Sequence, residues 1–240
     1  MGLKETQAQW EKMAQEDALY GVLSHPDKRG GKWDLEEFLA TGQAEIKERL
    51  DWAQQQGAQI KFGRALDFGC GVGRLTQALA SRFEKAVGVD VSPTMIQKAQ
   101  SINRQGEHCE YRLNEAPDLA LFGVAGFDFV YSNIVLQHLP VELALKYVAE
   151  FARLLKPGAT ALFFYPERGQ DAPWRKHLKA LTPGFLLRLY RRARYGASGL
   201  NQVEVEMNGA PAGRVLQAFA AGGGEILKSE SGWYLGGKKA

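Results

Sequence analysis

"ALDFGCGVGRLTQALA", residues 65–80, decides the fold. A short apolar run ends in Gly69, Gly71 and Gly73 and passes at once into a segment with helical spacing. A strand that ends in glycine and turns into a helix opens an α/β unit, and because no Cβ intrudes, a ligand can lie directly on main chain. The expectation is a row of unpaired amides beside a gap. A dinucleotide would require the spacing G-x-G-x-x-G, which asks for glycine at position 74, where the chain has Arg74. A triphosphate loop of the form G-x-x-x-x-G-K-[ST] is also missing, since the nearest candidate, "GGGEILKS" at 222–229, has Leu227 where glycine is required. The ligand is therefore expected to be of another kind.

Working outward, "RALDFG", "KAVGVD", "CEYRL", "FDFVYSN" and "TALFFYP" read as buried strands. Between them "RLTQALASRF", "SPTMIQKAQSIN" and "PVELALKYVAEFARLL" read as helices, and that alternation specifies a parallel sheet with helices on both faces. "LLKPGA" predicts a helix stop and then a turn into the fifth strand, because Pro157 cannot continue a helix and Gly158 tolerates left-handed backbone. Upstream, residues 3–19 and 34–56 carry helical spacing, with Asp34 as N-cap and Gly57 as stop, and "SHPDKRGGKW" is the loop between them. Downstream, residues 166–210 read as a helical insertion broken at Pro183 and Gly184. A helix over "APAGRVLQAFAAGGG" and a hairpin turning at Ser231 and Gly232 then close the chain. The expected organisation is one domain over residues 1–240: a helical cap (1–60), a ligand-binding core (61–165), a lid (166–210) and a closing helix and hairpin (211–240).

The 240 residues are 45% hydrophobic and 24% charged, the balance of a globular chain rather than a disordered one. Thirty basic against 27 acidic residues leave a formal charge of +3, too even to imply nucleic-acid binding. The two cysteines, Cys70 and Cys109, are too far apart for a CxxC pair, which points to a reducing, cytoplasmic setting. The opening "MGLKETQAQW" lacks the apolar core of a secretory signal, and no stretch approaches the roughly 20 apolar residues of a membrane span. Gly2 and Thr6 fit a myristoylation pattern too short to carry weight. His25, His108, His138 and His177 form no i, i+4 pair, so no metal site is expected.

Four motifs in order resemble those of the class I S-adenosylmethionine (SAM)-dependent methyltransferases. They are "LDFGCGVGRLT", "AVGVDVSPTMIQKAQ", "FDFVYSNIVLQHLP" and "LLKPGATALFFYP", which together cover about residues 62–166. The resemblance implies a Rossmann-like, seven-stranded, mostly parallel sheet and SAM as cofactor. It places Asp67 near the methionine ammonium, Gly69 and Gly71 where backbone meets the ligand, and Asp90 on the ribose hydroxyls. Val91 and Met95 would flank the adenine, with Asn114 or Glu115 at its amino group, and Asn133 and Ile134 would pass under the methionine portion. Cys70 and Arg74 complete the cofactor-binding candidates, Cys70 as a small packing residue rather than a reactive thiol. Trp33, from the N-terminal layer, is a candidate cover for the cofactor or a plain packing residue.

Methyl transfer from a sulfonium is an in-line displacement, so alignment supplies much of the rate. A hydroxyl acceptor benefits from a base, and His138 in "LQHLP" is the candidate, with a packing or hydrogen-bonding role as the alternative. The Asn/Asp-Pro-Pro-aromatic sequence of enzymes that methylate protein and nucleic-acid nitrogens is replaced here by "SNIVLQH", which favours a small-molecule acceptor. Arg175, Lys176, Lys179, Arg188, Arg191, Arg192 and Arg194 form a basic stretch interleaved with leucines and aromatics. An amphipathic lid is the expected reading, beside an anionic acceptor, RNA or protein docking, or membrane contact. A SAM-binding protein without catalysis stands as the remaining alternative.

Overall fold

The computed structural model describes residues 2–168 and 207–239. Two helices come first, α1 (Leu3–Val22) and α2 (Leu35–Gln55). Then follow β1 (Arg64–Phe68), α3 (Arg74–Ala80), β2 (Lys85–Asp90), α4 (Pro93–Ser101), β3 (Cys109–Leu113) and β4 (Phe127–Ser132). A 3₁₀ turn, Leu136–His138, leads into α5 (Val141–Leu154) and β5 (Leu155–Phe164). The last described elements are α6 (Ala212–Ala221), β6 (Glu225–Glu230) and β7 (Trp233–Gly237). The seven strands lie in the order β3-β2-β1-β4-β5-β7-β6. β1 to β5 are parallel, and β7 enters antiparallel between β5 and β6.

That order reverses direction at β1 and β4, because the chain winds one way through β2 and β3 and the other way through β4 and β5. Such a switch point opens a crevice at the carboxyl ends of the strands, where ligands of open α/β sheets bind. Both faces of the sheet are covered. Leu66, Val130, Phe151 and Phe163 belong to one apolar cluster, and Ala65, Leu79, Phe129 and Leu162 to another on the opposite face. The alternation of β1 explains the division, since successive side chains of a strand point to opposite faces.

Two expectations change. Residues 155–158 are strand rather than turn: α5 runs straight into β5, and the irregularity is a register shift between the Phe127↔Leu155 and Phe129↔Thr160 pairs. Gly158, at φ +71°, sits inside that irregularity and donates its N–H to Lys238 O at 2.8 Å, so the special backbone conformation is absorbed within the sheet. α1 extends beyond residue 19 and is bent, with Asp17 in extended geometry (φ −162°, ψ 86°). The hairpin forms as expected, Ser231 and Gly232 both having positive φ. The 174–194 basic stretch and most of the 166–210 insertion lie outside the described residues.

Candidate active site

The carboxyl ends of β1, β2, β3 and β4 open into a cavity of about 480 Å³. Its floor is the glycine loop, and its roof is α1, which contributes Leu3, Thr6, Trp10, Met13, Gly21 and Val22. Gly69 and Gly71 both have positive φ, and a Cβ on either would meet a neighbour at under 2.5 Å: Val135 Cγ2 at Gly69 and Val22 Cγ2 at Gly71. Glycine is thus required here by conformation and by close approach alike.

Four of the loop amides are already paired. Gly69 N–H and Cys70 N–H both donate to Val89 O, at 2.8 and 3.0 Å, and Gly73 N–H donates to Cys70 O at 2.9 Å. Gly71 N–H donates to Asp90 Oδ2 at 2.8 Å. The expectation of unpaired amides is therefore corrected for these four: Gly69, Cys70 and Gly71 spend their donors on the end of β2, and Gly73 turns back on Cys70. At these positions the loop offers main chain for shape and close contact.

Asp90 is the acid at this end. Its other oxygen accepts from Ser92 N–H at 2.9 Å, and burial pushes its pKa up while those backbone donors work to lower it. Val91, Met95 and Asn114 line the same part of the cavity. Met95 is 2% exposed, and Asn114 closes its own turn by donating Nδ2 to Asp118 O at 2.8 Å. Cys70 and Arg74 also line the wall. Burial raises the Cys70 pKa well above that of an ordinary thiol, which keeps it protonated and supports the packing reading.

Toward β4, Asn133, Ile134, Gln137 and His138 complete the lining. Ile134 has φ +59°, a left-handed conformation that a β-branched residue adopts only under constraint. The turn it makes lays Val135 on Gly69 and leads into the 3₁₀ turn that carries His138. His138 is 7% exposed and meets the ring of Trp10 edge-on at 5.3 Å between centroids. Asn208 buttresses this turn, donating its N–H to Gln137 O at 2.6 Å and its Nδ2 to Leu139 O at 3.0 Å.

Three sequence-derived candidates do not line the cavity. Asp67 is 1% exposed and accepts a hydrogen bond from Thr76 Oγ1 at 2.6 Å; burial raises its pKa to about 7 against the opposing effects of Thr76 and Arg74. Glu115 is exposed and accepts from Gln7 Nε2, tying β3's end to α1. Trp33 donates its indole N–H to Leu23 O at 3.0 Å and packs edge-on against Phe38. The tryptophan over the site is Trp10, whose place at helical spacing with Leu3, Thr6 and Met13 was the available signal. Glu45, which reaches Asn133 and Arg74 from α2, carried no motif at all.

A methyltransferase-domain family model matches residues 65–158. The ubiquinone biosynthesis O-methyltransferase of Methylococcus capsulatus is 33% identical over 162 residues, 67% of this chain and 65% of that protein. Residues 65–158 are thus a methyltransferase domain of the class I SAM-dependent type. The protein of the same name from Xanthomonas campestris is 33% identical over 47% of this chain and 46% of its own length. The chain thus spans about half to two thirds of the curated relatives it matches. Magnesium protoporphyrin IX methyltransferase from Synechocystis, solved with bound S-adenosylhomocysteine (SAH), shares the fold of this chain. Its TM-score is 0.62 at 16% identity, over 98% of this chain and 99% of that one.

The residues present fit SAM as the family's cofactor. A diol needs paired acceptors, and Asp90 presents a carboxylate at the β2 end. A neutral purine needs apolar walls, which Val91 and Met95 supply. The glycine loop, with positive φ at Gly69 and Gly71 and no Cβ there, lets main chain approach the ligand closely. Among the described residues no helix is long and apolar enough to cross a membrane, and no group of three His, Cys, Asp or Glu side chains is placed to hold a metal ion.

Proposed function

We propose that the protein transfers the methyl group of SAM to an oxygen or nitrogen of a small-molecule acceptor, with a hydroxyl as the preferred atom. The observation that carries this reading is continuity: Asp90 and the glycine loop line the same cavity as His138 and Trp10. Cofactor and acceptor therefore share one enclosed space, roofed by α1. The names of the curated relatives, O-methyltransferases of ubiquinone biosynthesis, support an oxygen acceptor. The apolar and aromatic character of the Leu3, Trp10 and Leu139 wall suits a planar, hydroxylated molecule.

SAM, when bound, supplies an electrophilic methyl carbon on a sulfonium. Asp90 holds the ribose, Val91, Met95 and Asn114 surround the base, and Asn133 and Ile134 support the amino-acid end. His138 takes the proton from the acceptor hydroxyl as the oxygen gains the methyl group, and Trp10 limits the positions its ring can take. Asp67 acts on the ammonium only at a distance or through water, since it does not line the cavity. Cys70 and Cys109 are both free, which supports a reducing, cytoplasmic setting. The basic 174–194 stretch lies outside the described residues and adds nothing to this reading.

The test is turnover with a panel of phenols, catechols and amines, reading both SAH and the methylated product by mass spectrometry. His138→Ala is expected to lower turnover on a hydroxyl acceptor by about 10²–10⁴ while leaving SAH affinity little changed. A loss of less than about tenfold would remove the proton-transfer role. Absence of SAH formation with every acceptor would overturn the activity.

A further inference from the structure

We propose that Glu45, on α2, is the positioning residue for the cofactor's amino-acid end, holding Arg74 and Asn133 against the cavity. The inference rests on the reading of the cavity as a SAM site. α2 reaches the start of α3 because position 42 is glycine: a Cβ there would lie 2.6 Å from Arg74 O. One turn later, at Glu45, the helix presents a carboxylate to the ends of β1 and β4. Its Oε1 accepts from Tyr131 OH at 2.9 Å and from Asn133 Nδ2 at 2.7 Å. Its Oε2 accepts from Arg74 Nη2 at 2.8 Å, and Arg74 Nη1 donates to Thr41 Oγ1 at 3.3 Å. Three donors, from β4, the residue that follows it and the start of α3, thus converge on one side chain, itself 20% exposed.

Two of those donors, Arg74 and Asn133, line the cavity. Their side of it lies at the β1–β4 junction, while Asp90 and Asn114 lie at the β2 and β3 ends. A nucleoside held at Asp90 therefore extends its amino-acid end toward Arg74 and Asn133. That end bears a carboxylate, and the matching cation is a guanidinium. Arg74 is 4% exposed, and its Nε–H is buried without a hydrogen-bond partner among the described residues. A buried donor of this kind is costly unless a ligand satisfies it. Glu45 orients the guanidinium and offsets its charge, so that the fork is in place before the ligand arrives.

The test compares SAH with 5′-methylthioadenosine, which lacks the amino-acid end, by calorimetric titration. Glu45→Ala is expected to weaken SAH by about ten- to a hundredfold while leaving methylthioadenosine within about twofold of wild type. Glu45→Gln keeps an acceptor oxygen but not the charge, and is expected to fall between. The double variant Glu45→Ala/Arg74→Ala is expected to be no weaker for SAH than Arg74→Ala alone, because one residue acts through the other. Equal loss for both ligands, or no loss for SAH, would overturn the proposal. Failure of the wild type to bind either ligand would instead overturn the SAM reading on which it stands.

Discussion

Asp67 keeps its proton into the neutral range because it is sealed between β1 and α3 with Thr76 Oγ1 as its hydrogen-bond partner. Its folded pKa, about 7, lies above the ordinary 3.8, so the folded chain binds the proton more tightly than the unfolded one. The resulting stability is fully present below about pH 4 and is lost as pH rises through 7. Asp67→Asn removes that titration. The variant without ligand is expected to melt several degrees higher than wild type at pH 8 and to lose the advantage near pH 4, which melting curves across pH will show. An advantage independent of pH would contradict the assignment. Asp90 is a different case, since its two oxygens already serve Gly71 and Ser92. Asp90→Ala is expected to cost about 1–3 kcal/mol of SAH affinity by titration, and unchanged affinity would remove it from the site. The place of Asp90 and the glycines at the cavity was legible because it is set by immediate neighbours in the chain. Trp10 and Glu45 were not, because helical spacing shows that a face is buried without showing which strand ends it meets.

At the scale of elements, the roof of the cavity depends on how α1 is pinned. Glu11 accepts from Ser92 Oγ at 2.6 Å and from both the backbone and the hydroxyl of Thr94, fastening α1 to the start of α4. Burial works to raise its pKa, and the hydrogen bonds from Ser92, Thr94 and Gln15 outweigh that and hold it below the usual value. Asp17 holds the bend: one oxygen accepts from Tyr20 N–H, and the other from Gly30 and Gly31 N–H, both at 2.8 Å. Glu11→Ala is expected to lower hydrogen-exchange protection across residues 3–16 by about tenfold or more while leaving β1 and β4 unaffected. A uniform loss across the sheet would mean that α1 is part of the global folding unit instead. The elements themselves were largely legible, because each strand was a short apolar run bounded by turn chemistry. Among the strands the misread one was β5, where Pro157 and Gly158 signal a turn by local propensity. Pairing with β4 and with the segment after β7 overrides that signal.

For the whole molecule, the sheet order is what turns separate motifs into one site. Asp90, Gly71, Asn133 and His138 are spread over 68 positions of sequence, and the reversal at β1 and β4 brings them around one cavity. Sequence patterning specified the parallel half of the sheet and the closing hairpin. The insertion of β7 between β5 and β6 was not read from the sequence, since hairpin signals do not say which strand takes the edge. Linkage adds an expectation at this scale: SAH at a hundred times its Kd should stabilise the chain by about 2.7 kcal/mol, visible as a rise in Tm, whereas NAD should leave Tm unchanged. The crystal structure of the SAH complex tests the central claim most directly. The ribose hydroxyls are expected on the Asp90 carboxylate, with the sulfur facing His138 under Trp10. SAH bound elsewhere, or in the cavity with Asp90 untouched, would contradict it.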